Sequence, residues 1–206
     1  MKDIPLLLVT ATAWIYWGRV GAMIVRARRR RGDLSGLVPQ QALERWLWIV
    51  WVPVVVAWIA LPLLALTRAA GPFAVPDWAR AEPLYAALRW AAAAGAIYSL
   101  AMTLKCWARM GRNWRMDVRT DDHADLITDG PFAHVRHPIY ALGMLMMTCT
   151  AAVVATLPTA IAAVLLVVLT NIKARNEERF LLSSHGPRYA SYMQTTGRFF
   201  PHRPHP

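Results

Sequence analysis

The chain has 206 residues, 56% of them hydrophobic and only 17% charged, with a mean hydropathy of +0.30. Soluble domains carry about 25% charged residues, and here the apolar residues fall in long blocks. That excludes a disordered chain and points to an all-α, polytopic integral membrane protein rather than a soluble globule. Lys and Arg outnumber Asp and Glu by 23 to 12, an excess that in a membrane protein marks loops facing the cytoplasm and anionic lipid, with no need for a nucleic-acid partner.

The first apolar block runs from about Ile4 to Val25. It is not a cleaved leader, because its positive charges, Arg26 and Arg28 to Arg31, follow the apolar run instead of preceding it. The second block runs from about Ala42 to Leu66 and the third from about Leu84 to Trp107. The fourth, Pro138 to about Ile172, is too long for one crossing of about 20 residues. Pro158 starts a helix well and sits badly inside one, so the break at Thr156-Leu157-Pro158-Thr159 predicts a tight hairpin and five spans in all.

Charge sets the orientation. Segments 26–45, 105–137 and 173–206 hold 18 of the 23 Lys and Arg residues, which predicts an outer N-terminus, a cytoplasmic C-terminus and a place in a bacterial inner membrane. Of the charges elsewhere, Arg19 is expected to face other helices, a cavity or an interface, and Arg89 to snorkel to the outer surface. Ala91, Gly95 and Ser99, spaced by four, and Gly18 with Ala22, predict close helix packing. The ten Trp residues cluster near span ends, as at Trp46, Trp48, Trp78 and Trp107, and read as interfacial anchors.

Polar chemistry gathers on the cytoplasmic side. With Pro138 opening the fourth block, Arg136 and His137 stand at a helix N-terminus, where free N–H groups and the dipole favour an anion. Arg136 adds a planar fork for a carboxylate or phosphate, and Tyr140 a hydroxyl or stacking face. A plain basic flank of a Pro-started span fits this spacing equally well. Glu177-Glu178 follows the last span; two adjacent carboxylates there must be solvated, paired or bound to a cation, and Lys173, Arg175 and Arg179 are ready partners. The hairpin brings these two ends together, so an anion-binding end meets a carboxylate end, an arrangement suited to a zwitterion. Cys106 and Cys149 lack ligand-like spacing. His134 and His137 have no convincing third partner, so no metal is expected. The Gly-x-Gly-x-x-Gly pattern of a dinucleotide-binding turn is absent.

Taken in order, Gly111-Arg112-Asn113-Trp114, Gly130-Pro131-Phe132, Arg136-His137-Pro138-Ile139-Tyr140, the apolar hairpin, Glu177-Glu178, and Gly186-Pro187-Arg188-Tyr189-Ala190-Ser191-Tyr192 through Pro201 resemble the isoprenylcysteine carboxyl methyltransferase family and its phospholipid methyltransferase relatives. The likeness covers about residues 105–201. It divides the chain into N-terminal helices, 1–104, on the acceptor side, and a cofactor-binding region, 105–206. It implies an S-adenosylmethionine-dependent membrane enzyme whose lipophilic, prenylated acceptor enters between helices. By resemblance, His137, Tyr140, Glu177 and Glu178 belong to the cofactor site with Arg136 nearby, and Tyr189, Tyr192 and Arg198 close it. A family histidine is replaced by Ala124, with His123 one residue earlier.

The chemistry expected is an in-line displacement at a sulfonium methyl. A carboxylate acceptor needs orientation and a dry pocket but no base. Arg112 with Asn113 is the preferred pair to orient it, ahead of Lys105 and Arg109. Within the same class stand phospholipid N-methyl and small-thiol S-methyl transfer. Outside it stand a sterol-reductase-like oxidoreductase, for which the chain is short, and a non-catalytic membrane scaffold.

Overall fold

The computed structural model describes residues 3–31, 41–68, 70–111 and 126–202. It contains seven α-helices: α1 (Ile4–Arg31), α2 (Ala42–Thr67), α3 (Asp77–Ala81), α4 (Pro83–Met110), α5 (Pro138–Val154), α6 (Leu157–His185) and α7 (Pro187–Thr195). A 3-10 turn, Gly130–Ala133, precedes α5. Helices α1, α2, α4 and α6 are long and apolar enough to cross a membrane, and α5 is a shorter apolar helix of 17 residues. At 1.5 Å per residue α5 spans about 25 Å, slightly less than the ~30 Å hydrocarbon layer.

Proline and glycine mark the boundaries. Pro83, Pro138, Pro158 and Pro187 all sit in the first turn of a helix, where a missing N–H costs nothing. The α5–α6 hairpin turns on two residues: Ala155 takes a left-handed conformation at φ 56°, and Thr156 precedes Leu157. The Thr159 hydroxyl donates to the Thr156 carbonyl at 2.8 Å and stiffens the turn. At the other end of α6, Gly186 at φ 52° lets the chain swing directly into α7. Pro53 and Pro62 lie inside α2, which membrane helices tolerate when neighbouring groups cover the freed carbonyls.

Helix α4 is the centre of the bundle. Its small residues Ala92, Ala93, Ala96, Ser99 and Thr103 are buried, and a Cβ on Gly95 would come within 3.0 Å of Cys149 Sγ. Gly95 and Ser99 thus pack as expected and let α5 lie close, while Ala91 is exposed. Gly18 is also exposed, with open space where its Cβ would stand, so the small-residue spacing in α1 marks no close contact there.

The two arginines placed within spans are accommodated differently, and Arg89 departs from expectation. Arg89 does not snorkel: it is only 4% exposed, and it donates to the Val153 carbonyl at 2.9 Å and to Asp3 at 2.6 and 2.8 Å. Asp3 also accepts from Arg80 and caps the Leu6 N–H. Burial is affordable for Arg89 because a carboxylate and the hairpin carbonyl meet it together. Arg19 is exposed on the outer face of α1 and not turned into the bundle. It lies seven residues, about 10 Å, from Arg26, close enough to stretch toward the polar layer.

Candidate functional site

The site forms where the start of α5, the end of α6, and α7 with its following tail meet. The segment before α5 is paired with that tail. Val135 forms an isolated parallel bridge with Gly197, Arg136 N–H donates to the Gly197 carbonyl at 2.9 Å, and His137 N–H to the Arg198 carbonyl at 3.1 Å. A Cβ at Gly197 would run into the Phe200 carbonyl, so only glycine lets the tail fold back at that point.

Glu178 is the hub. It is 4% exposed. Its Oε1 accepts from Arg136 Nε at 2.9 Å, and its Oε2 accepts from Arg198 Nε at 3.0 Å and Nη2 at 2.5 Å. The Arg136 guanidinium also donates to the carbonyls of Met193 and Thr196, at the end of α7. Arg136, Glu178 and Arg198 therefore clamp tail to helix, with both carboxylate oxygens of Glu178 already engaged. Glu177 is differently placed. Its Oε2 accepts the Tyr140 hydroxyl at 3.0 Å, and its side chain stays 31% exposed.

His137 stands between the two carboxylates. Its Nδ1 is 3.7 Å from Glu177 and its Nε2 3.3 Å from Glu178. The ring stacks on Tyr140, 5.4 Å between centroids and 6° from parallel, with Phe199 at 6.1 Å. Its buried Nε2 makes no aligned hydrogen bond. The Tyr189 hydroxyl is likewise buried and unpartnered among the described residues, whereas Tyr192 donates to the Phe132 carbonyl at 2.5 Å and locks α7 onto the 3-10 turn. Burial, only partly opposed by Arg136 and a hydrogen bond to Thr196, pushes the Tyr192 phenol up to about 12. Burial, reinforced by the Glu178 charge, raises Tyr189 as well. Both remain neutral donors at physiological pH.

The structure thus brings together Arg136, His137, Tyr140, Glu177, Glu178, Tyr189, Tyr192 and Arg198. Arg112, Asn113 and His123 lie outside the described residues. Arg109 is exposed and pairs with Asp129 at 2.5 Å, and Lys105 is exposed. His134 is exposed while His137 is buried, and among the described residues no group of three His, Cys, Asp or Glu side chains is arranged to hold a metal ion.

Two features escaped the sequence reading. Glu44, in the first turn of α2, is buried at this same end, where Asn176 Nδ2 donates to Gln41 Oε1 at 2.8 Å. A carboxylate opening an apolar span was the available signal. The second is aromatic. Trp46 and Trp78 are exposed as interfacial anchors should be, but Trp48 and Trp107 line a cavity inside the bundle with Tyr16, Trp17, Trp51 and Trp58. The seven-residue spacing of Trp51 and Trp58, which puts both on one helix face, was the signal there.

A helical membrane bundle with a buried ionic clamp and a carboxylate-histidine-phenol cluster at the foot of its last hairpin is the class this geometry defines. Residues 91–183, from mid-α4 to near the end of α6, match the model of the isoprenylcysteine carboxyl methyltransferase (ICMT) family. A stretch of 101 residues is 36% identical to the cobalt-zinc-cadmium resistance protein CzcN of Cupriavidus metallidurans. It covers 46% of this chain and 44% of that protein, so the chain spans less than half the length of that relative.

Proposed function

We propose that this chain is an integral membrane methyltransferase that takes its methyl group from S-adenosylmethionine and passes it to a lipophilic acceptor, with the carboxylate of an isoprenylcysteine-like molecule as the first choice. One observation carries the reading. Within the family-matched hairpin, an accessible carboxylate, a histidine and a phenol converge beside a buried, unpartnered tyrosine hydroxyl.

The donor set fits a zwitterionic, hydroxyl-bearing ligand. Glu177 has an oxygen to offer an ammonium, while His137 Nε2 and the Tyr189 hydroxyl are buried groups in want of a partner. Tyr140 orients Glu177. Glu178, Arg136 and Arg198 are positioning residues, spent on holding the tail over the site. Held by Glu177, His137 and Tyr189, S-adenosylmethionine would supply an electrophilic methyl group, and a carboxylate acceptor would need no proton removed. The protein's share is orientation and the exclusion of water, and Arg112 with Asn113 is assigned to hold the acceptor carboxylate. The basic ends of the helices are assigned to the cytoplasmic face of a bacterial inner membrane. Labelling of cysteines introduced at positions 30, 120 and 204 reads that assignment, and access from the outer side at any of them contradicts it.

Calorimetric titration of the purified chain with S-adenosylmethionine, then with NADPH, tests the reading. S-adenosylmethionine should bind and NADPH should not; the reverse would favour a reductase. His137→Ala should weaken S-adenosylmethionine by about tenfold or more, the worth of one charge-assisted hydrogen bond. Arg112→Ala should leave that affinity nearly intact and slow turnover. Wild-type affinity in His137→Ala would show the cofactor site to be elsewhere. Binding without turnover on carboxylate, amine or thiol lipids would favour a scaffold.

A further inference from the structure

Two arginines near the end of α6 are left over from the carboxylate cluster. Arg175 and Arg179 flank Glu177-Glu178 in the sequence, but Glu177 accepts from Tyr140, and Glu178 from Arg136 and Arg198. Arg175 and Arg179 are exposed, and neither pairs with a carboxylate among the described residues.

Arg175, Glu178, Arg179 and Leu182 recur at helical spacing, so they share one face of α6. With Met193 of α7 and Arg198 of the tail they line a surface pocket of about 360 Å³. Three guanidiniums meet one carboxylate there, and both oxygens of that carboxylate are already engaged. The pocket therefore presents net positive charge, with planar forks of donors that match phosphate oxygens.

Helix α6 also shows where the anion comes from. Ile161, Leu165, Val168 and Ile172 are exposed and alternate at steps of four and three. That period continues without a break through Arg175 and Arg179. One face of the helix is thus an apolar stripe that ends in two arginines. At 1.5 Å per residue, Arg175 and Arg179 lie about 27 and about 33 Å along the axis from Leu157, where α6 begins. The hydrocarbon layer is ~30 Å thick, so the stripe matches the acyl chains and the arginines match the level of the phosphates. A dissolved anion would use only the basic half of this surface; a lipid uses both.

We propose that Arg175, Arg179 and Arg198 form a binding site for the phosphate headgroup of an anionic membrane lipid, whose acyl chain runs along the stripe at residues 161–172 of α6. The site goes beyond the methyl-transfer reading and does not depend on it. Arg198 belongs both to this pocket and to the clamp on Glu178, so a bound headgroup ties the tail to α6 a second time and stabilises the fold.

The test follows thermal unfolding of the full chain in micelles of a non-ionic detergent, with dioleoyl phosphatidylglycerol or dioleoyl phosphatidylcholine added. Phosphatidylglycerol should raise the midpoint in a saturable way. Phosphatidylcholine, with the same chains and phosphate but no net charge, should raise it far less, and inorganic phosphate at matched ionic strength should leave it unchanged. An arginine at an anionic surface is worth roughly fivefold in affinity, so Arg175→Gln with Arg179→Gln should increase the phosphatidylglycerol needed for half the shift by about tenfold or more. Arg26→Gln with Arg28→Gln removes the same charge from exposed positions at the same end and should change that amount by less than about twofold. If the first double variant does not fold, Arg179→Gln alone should show about a fivefold change. Equal shifts with the two lipids, equal losses in the two double variants, or a shift from inorganic phosphate that the Arg175 and Arg179 substitutions abolish would overturn the proposal.

Discussion

Adjacent carboxylates in the same helix have opposite surroundings. Glu178 sits between two guanidiniums with both oxygens used, whereas Glu177 keeps one edge toward solvent. Removing one partner from a buried ion network leaves an uncompensated charge and costs about 3–5 kcal/mol. Glu178→Gln should therefore lower the stability of the purified chain by about 3 kcal/mol, because Arg136 and Arg198 lose their anion and the tail loses its anchor. Glu177→Gln keeps an oxygen for the Tyr140 hydroxyl, so stability should change by less than about 1 kcal/mol. Its S-adenosylmethionine affinity should fall by about tenfold or more. Thermal unfolding beside calorimetry separates the two roles; equal destabilisation of both variants would show that neither glutamate is reserved for a ligand. The sequence put both glutamates in one site because adjacency and family resemblance treat them alike. What distinguishes them is the direction each side chain takes from the helix, which spacing alone does not specify.

At the scale of elements, the hairpin was legible because proline chemistry is local. Pro158 after a break in a 35-residue apolar block can begin a helix and cannot continue one. The return of Glu177 to Arg136 and His137 follows from that single turn. The aromatic cavity was not legible, because it needs the relative rotation of five helices, and a tryptophan near a span end looks the same whether it faces lipid or the core. Likewise Arg89 was buried by Asp3, 86 residues away, a partner that no local pattern announces. The turn itself carries a correctable cost. Ala155 is the only non-glycine with positive φ among the described residues, and the left-handed region penalises its Cβ by about 1–2 kcal/mol. Ala155→Gly removes the clash but loosens the unfolded chain, which offsets part of the gain, so a net stabilisation of about 0.5–1 kcal/mol is expected. Ala155→Val should destabilise. Since the turn lies at the far end of the hairpin from Glu177, turnover should be unchanged in Ala155→Gly. A loss of stability in that variant would mean that the alanine methyl is needed for packing.

Across the whole molecule, charge divides the bundle into two unlike ends. One end carries most of the basic residues, the ionic clamp and the carboxylate cluster. The other is tied by Asp3, which joins the start of α1 to Arg80 of α3 and Arg89 of α4, while Arg89 reaches the Val153 carbonyl of the hairpin. One carboxylate thus holds four elements together. Burial alone would raise the Asp3 carboxyl, but hydrogen bonds from Arg89 and the Leu6 N–H, with the Arg89 charge, outweigh it and hold the group below its ordinary value of 3.8. A carboxyl depressed by folding contributes stability that is fully present above its unfolded value and is lost as pH falls through the folded one. The knot should therefore hold at neutral pH and come undone only below about pH 3.8. Other carboxylates titrate in the same range, so the measurement is a comparison. Asp3→Asn should lower the midpoint of thermal unfolding at pH 7 by roughly 3 °C or more, since it leaves the Arg89 guanidinium buried beside a neutral amide. That deficit should stay constant down to about pH 5 and shrink as wild-type Asp3 itself takes up a proton. A deficit independent of pH down to 3 would mean that Asp3 acts through its size or its helix cap and not through its charge.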